Sequence, residues 1–115
     1  MAEHGACETV GSGGVGESGA SCMLTHTVTG STSKLMVLRR IDTSLCPSTG
    51  AAAMLLVNGE PAAHGILSDP QRPVQIDAQP GAKVTAIVHT FPLFNDVVCI
   101  RLGELTFELQ QCELV

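Results

Sequence analysis

From Cys22 onward, turn signals cut the chain about every eight to twelve residues, and the segments between them alternate with a period of two. A short alternating segment buries one face and cannot do so alone, so it needs neighbours in a sheet. Several at this spacing predict an all-β fold: an antiparallel β-sandwich, Ig-like or jelly-roll-like, of about eight short strands.

The segments can be read one by one. Over residues 22–29 one face carries Cys22, Leu24, His26 and Val28 and the other carries threonines, the pattern of a half-buried strand. A Gly30-Ser31-Thr32-Ser33 turn leads to a strand over 34–41, where β-branched residues and flanking turns outweigh a short helix. Residues 51–57 are apolar throughout. Asn58-Gly59 after them supplies the two positive φ angles of a type I′ hairpin turn and so selects strand over helix. The return strand over 60–67 begins with Pro61, which cannot donate to a ladder and so predicts an edge strand or an irregular start. Strands follow over 74–78 and 82–91, joined by a Pro80-Gly81 type II turn. Two more are expected over 97–102 and from 105, with Leu105, Phe107 and Leu109 facing inward. No βαβ rhythm occurs, which excludes the nucleotide-binding α/β folds.

Residues 1–20 differ. They are rich in Gly, Ser, Ala and Glu and contain the run Gly11-Ser12-Gly13-Gly14. So few large apolar side chains cannot offset the entropy of ordering a segment, so residues 1–20 are expected to be a flexible, disordered tail and residues 21–115 the sandwich domain.

Composition narrows the function classes. Six basic against eleven acidic residues give a net charge of −5, and Arg39-Arg40 is the one adjacent basic pair, so neither nucleic acid nor an anionic membrane surface is an expected partner. No apolar run approaches the roughly 18 residues of a membrane span, and the first residues lack the basic and apolar regions of a secretory signal. A soluble protein in the cytoplasm is the expectation. The five cysteines, Cys7, Cys22, Cys46, Cys99 and Cys112, are odd in number and widely spaced, which in that compartment reads as five reduced thiols. Cys99, between Val98 and Ile100, is expected to be buried and structural.

The residues that could carry chemistry are ones that only folding could unite. His26, His64 and His89 lie on three separate expected strands, and His4 and Cys7 sit three apart in the tail. No Cys-x-x-Cys or His-Glu-x-x-His occurs, so no metal site is assigned. Cys99 and His89 form the nearest thiol and imidazole pair, but the apolar neighbours of Cys99 would oppose thiolate formation. Glu104 and Glu108 share a face of the last strand, and Asp69, Asp77 and Asp96 stand apart. No calcium loop, nucleophile elbow or phosphate-cradling loop is present. Phe94-Asn95-Asp96-Val97-Val98 resembles the asparagine-aspartate-valine run of small calcium-dependent bacterial sugar-binding sandwiches, whose calcium-holding acidic residues have no counterparts here. Three phenylalanines and no Trp or Tyr give little for a sugar to stack on.

No catalytic, cofactor-binding or metal residue and no cofactor is therefore assigned. High apolar content with only 15% charged residues points to surface hidden in a partner. The expected function is a non-enzymatic structural or protein-interaction subunit that forms a homo-oligomer or docks on a larger assembly. The alternatives are a small-ligand or carbohydrate-binding sandwich module and, behind it, a metal- or thiol-dependent enzyme. A deep polar pocket joining His26, His64 or His89 to a carboxylate or Cys99 would favour the alternatives, and a flat apolar face would favour assembly.

Overall fold

The computed structural model describes residues 4–15, 21–41, 49–67, 73–92 and 105–114. Among them the structure is all β, with eight strands: β1 (His4–Val15), β2 (Ser21–Thr27), β3 (Lys34–Arg40), β4 (Thr49–Val57), β5 (Glu60–Ile66), β6 (Val74–Ala78), β7 (Lys83–Pro92) and β8 (Leu105–Leu114). They form two four-stranded sheets, ordered β1-β8-β3-β6 and β2-β7-β4-β5. Every ladder is antiparallel.

The order has a simple origin. Strands 1 and 8, 2 and 7, 3 and 6, and 4 and 5 pair as along one long folded ribbon. The β8-β3 and β7-β4 ladders then roll that ribbon so that successive pairs alternate between sheets. This is jelly-roll order, and it resolves the expected sandwich in favour of the jelly-roll-like form.

Period-two alternation explains the core. Met36 and Leu38 of β3, Phe107 and Leu109 of β8, and Val74 and Ala78 of β6 face Ala51, Ala53 and Leu55 of β4 and Val84, Ala86 and Val88 of β7, all buried. Leu35, Val37 and Cys112 make a second, smaller buried cluster. The hairpin signals act as their chemistry requires. Asn58 and Gly59 have φ of 53° and 83°, as a type I′ turn demands. The Pro80-Gly81 turn is closed by a 3.1 Å bond from the Ala82 amide to the Gln79 carbonyl. Both forms of the Pro61 expectation hold: among the described residues β5 is an edge strand, and its ladder slips one residue between the pairs Leu55–Ala63 and Leu56–Pro61.

Where the sequence predicts a flexible tail, His4–Val15 forms β1 and pairs along most of β8, so the first sheet takes in residues on both sides of the expected boundary at residue 20. Residues 1–3 and 16–20 lie outside the described residues. The physical reason is large-to-small complementarity. Gly11 and Gly13 stand opposite Leu109 and Phe107 in the ladder, and β8 supplies the apolar bulk that β1 lacks. A Cβ at Gly13 would come within 3.1 Å of Cys22 Sγ and 3.2 Å of Phe107 Cζ, so a larger residue there would have to push these side chains back by a few tenths of an ångström. The cysteines depart from expectation. Cys7 and Cys112, directly opposite across the β1–β8 ladder, form a disulfide, so five free thiols are not what the fold holds. Cys22 is free and half-buried, and Cys46 and Cys99 lie outside the described residues. The expected strand over 97–102 lies outside them too.

Candidate functional site

The outer face of the second sheet follows from the composition of β4. Because residues 51–57 are apolar without a break, alternation sends Ala51, Ala53 and Leu55 into the core and leaves Ala52, Met54 and Leu56 on the outside. Register then aligns them in rows. One row runs Met23, Ile87, Met54, His64, and the next runs Ser21, His89, Ala52, Ile66. A third carries Thr25, Thr85, Leu56 and Pro61. No lysine, arginine, aspartate or glutamate stands in these rows. Lys83 is one step further along, opposite Thr27.

Met23 and Ile66 are 66% and 50% exposed, large values for apolar side chains on one sheet face. Between them the small Ala52 leaves a depression. Met54, His64, Ile66, Ile87 and His89 surround it, forming a shallow cup of about 420 Å³. Its walls are almost wholly apolar, with the two imidazoles as its titratable groups.

The three histidines thus separate into two settings. His64 and His89 converge on the cup from β5 and β7, on either side of β4. His26 faces the other way, into a polar cluster that closes the mouth of the sandwich between β1, β2 and β8. The buried Gln111 is the node of that cluster. Its Oε1 accepts from the Thr29 amide at 3.1 Å and lies 3.0 Å from His26 Nε2. Its Nε2 donates to Glu8 Oε1 at 3.2 Å and to Thr29 Oγ1 at 3.0 Å. The Thr29 amide N–H only donates, so it fixes Gln111 Oε1 toward Thr29 and His26 and the amide nitrogen toward Glu8. His26 is then the donor, through Nε2–H. Beside the cluster, Lys34 Nζ reaches both carboxylate oxygens of Glu113 at 2.7 and 2.8 Å and Thr32 Oγ1 at 3.3 Å. Each polar group here has a partner, and the arrangement is that of a structural plug.

Among the described residues, the remaining candidates do not assemble, and no three His, Cys, Asp or Glu side chains come together as metal ligands. Glu108 accepts from Thr9 Oγ1 at 3.1 Å and Gln110 Nε2 at 3.0 Å, and Asp77 is exposed on β6. The Cys99–His89 and Glu104–Glu108 pairs, Asp69, and the Phe94–Val98 run with Asp96 each fall at least partly outside the described residues. No helix among the described residues is long and apolar enough to cross a membrane.

Sequence reasoning passed over Met23, Ala52, Met54, Ile66 and Ile87, although the unbroken apolar run over 51–57 carried the signal. A strand apolar on both faces needs cover on both. Comparison with protein families, characterised proteins and solved structures finds no match to this chain.

Proposed function

We propose that this chain is a non-enzymatic sandwich subunit that works by binding protein, first of all further copies of itself, through the outer face of the second sheet. The observation that carries the proposal is the uncharged apolar face set around Ala52, with Met23 and Ile66 exposed on it. Such a face is costly to leave in water, at about 25 cal/mol for each Å² of apolar surface. The polar residues near it, two histidines and several threonines, form no catalytic constellation. The test is sedimentation of the full chain from submicromolar to high micromolar concentration. Concentration-dependent association is expected, and it should be abolished by Met54→Lys, which places a charge in the face without touching the core. A particle of about 12 kDa at every concentration would overturn the proposal.

One observation favours a second reading. The cup falls within the roughly 300–1,000 Å³ range of small-molecule sites, and its apolar lining suits a small hydrophobic ligand better than a sugar. A monomer that binds an apolar fluorescent probe, lost on Ala52→Phe, would select that reading.

A further inference from the structure

The outer face of the second sheet carries a projection as well as a cup. Met23 stands on β2, and Ala52, the cup floor, stands on β4, with β7 between the two strands. Met23 is opposite Ile87, whereas Ala52 is opposite His89, so projection and cup are two strands and two residues apart. At about 4.8 Å between strands and 3.4 Å per residue, their separation is about 12 Å. A two-fold axis lying in the contact plane, and crossing the line between them at its midpoint and at right angles, exchanges the two positions. One symmetry operation therefore seats the Met23 of each copy in the cup of the other.

We infer that the chain forms an isologous face-to-face dimer in which Met23 of each copy fills the cup floored by Ala52 of its mate. This rests on the proposed self-association of that face and adds the contact that sets its geometry. Methionine suits the place. Its unbranched thioether chain adapts to an irregular depression, and its sulfur packs well against ring edges, which His64 and His89 supply at the rim.

Charge selects the same occupant. A chain of net charge −5 repels its own copies, and they can approach where the surface carries neither sign, as it does across these rows. The size is adequate. Four strands by about seven residues span roughly 19 by 23 Å, a little over about 400 Å² in projection. Corrugation raises the accessible area toward the roughly 800 Å² per partner of a standard interface.

The experiment is sedimentation velocity on the full chain and on Met23→Ala, Ala52→Phe and the double variant, with Thr27→Ala as a control on the same strand. Met23 and Ala52 are both exposed, and circular dichroism checks that each variant keeps its sheet content. Met23→Ala empties the cup and Ala52→Phe fills it in place, so each should weaken dimerisation at least tenfold. The double variant, with the projection shortened and the cup levelled, should associate more tightly than Ala52→Phe alone. Thr27→Ala should match the wild type. A wild-type dimer indifferent to Met23→Ala and Ala52→Phe would overturn the exchange of Met23 while leaving the face as a contact surface. A wild-type monomer would overturn both.

Discussion

Replacing Cys7 by serine cuts the one covalent tie between the ends of the described chain. Cys7 is exposed on the edge strand β1, and Cys112 is buried on β8, so the serine meets water and Cys112 remains a small apolar side chain in its cluster with Leu35 and Val37. The direct packing loss is small. The loss that matters is in the unfolded state, where the disulfide closes a loop between residues 105 positions apart. The chain-entropy relation gives about 4.7 kcal/mol at 25 °C for a loop of roughly 100 residues. A domain of this size has a total stability of about 5–15 kcal/mol. The tie is therefore a large fraction of the whole, and the melting temperature should fall by about 15–20 °C.

The assay compares thermal and urea unfolding of the oxidised protein, the same protein in reductant, and Cys7→Ser. The reduced protein and Cys7→Ser should lose stability together, since both release the same loop. Amide exchange should quicken first in β1 and in the amides of β8 that face it, because the glycine-rich strand brings little apolar surface of its own to hold it. A Cys7→Ser protein within about 1 kcal/mol of the oxidised form would refute the assignment of β1 stability to the cross-link.

Three further outcomes are expected. Gln111→Leu removes the node that satisfies the Thr29 amide and His26 and should cost about 2–3 kcal/mol in urea unfolding, and Gln111→Glu, which keeps the acceptor but sets a second carboxylate against Glu8, should cost at least as much. Gly13→Ala forces a methyl against Cys22 and Phe107 and should cost about 1–3 kcal/mol, whereas Gly14→Ala, whose residue is exposed, should cost less in the same measurement. Glu113→Gln leaves the buried Lys34 ammonium without its carboxylate and should lower stability by about 1–2 kcal/mol, a loss that salt only partly screens.

The parts of the fold that were legible in sequence are those whose information is local. Asn58-Gly59 names its turn by φ alone, Pro61 names an edge by its missing donor, and the alternation of Cys22, Leu24, His26 and Val28 names the inward side of β2. The ladder partners were not legible, because nothing local in β3 says that it lies between β8 and β6. β1 failed for a different reason. Propensity reasoning asks what apolar surface a segment brings, and His4–Val15 brings almost none. It folds because Phe107 and Leu109, roughly a hundred positions away, need small neighbours. The cup was half legible. The run over 51–57 is apolar on both faces, but its outward half becomes a surface only when β5 and β7 set Ile66, His64, Ile87 and His89 beside it.

The Cys7–Cys112 pair also turns the location of the protein into a measurement. The expectation of a cytoplasmic protein came from first residues that lack the features of a secretory signal, and five reduced thiols were read from that compartment; the Cys7–Cys112 disulfide departs from that second reading. Reducing compartments hold exposed thiols apart, whereas a disulfide across a ladder persists where the medium is oxidising. In the cytoplasm β1 would be kept by its ladder and by contacts such as the Glu8–Gln111 and Thr9–Glu108 bonds, and the stability worked out for Cys7→Ser would be that of the protein in use. In an oxidising compartment the cross-linked form is the working one. Alkylating whole cells before lysis and then mapping labelled cysteines separates the two. Label on the exposed Cys7 would place the protein in a reducing compartment, with β1 as its weakest strand. Protection of Cys7 after denaturation as well, together with labelling of Cys22, would place it in an oxidising one. Since β1 is in the sheet opposite Met23 and Ala52, the self-association of the second sheet should survive in either case. A dimer that dissolved on reduction would show that β1, rather than the face around Ala52, carries the contact.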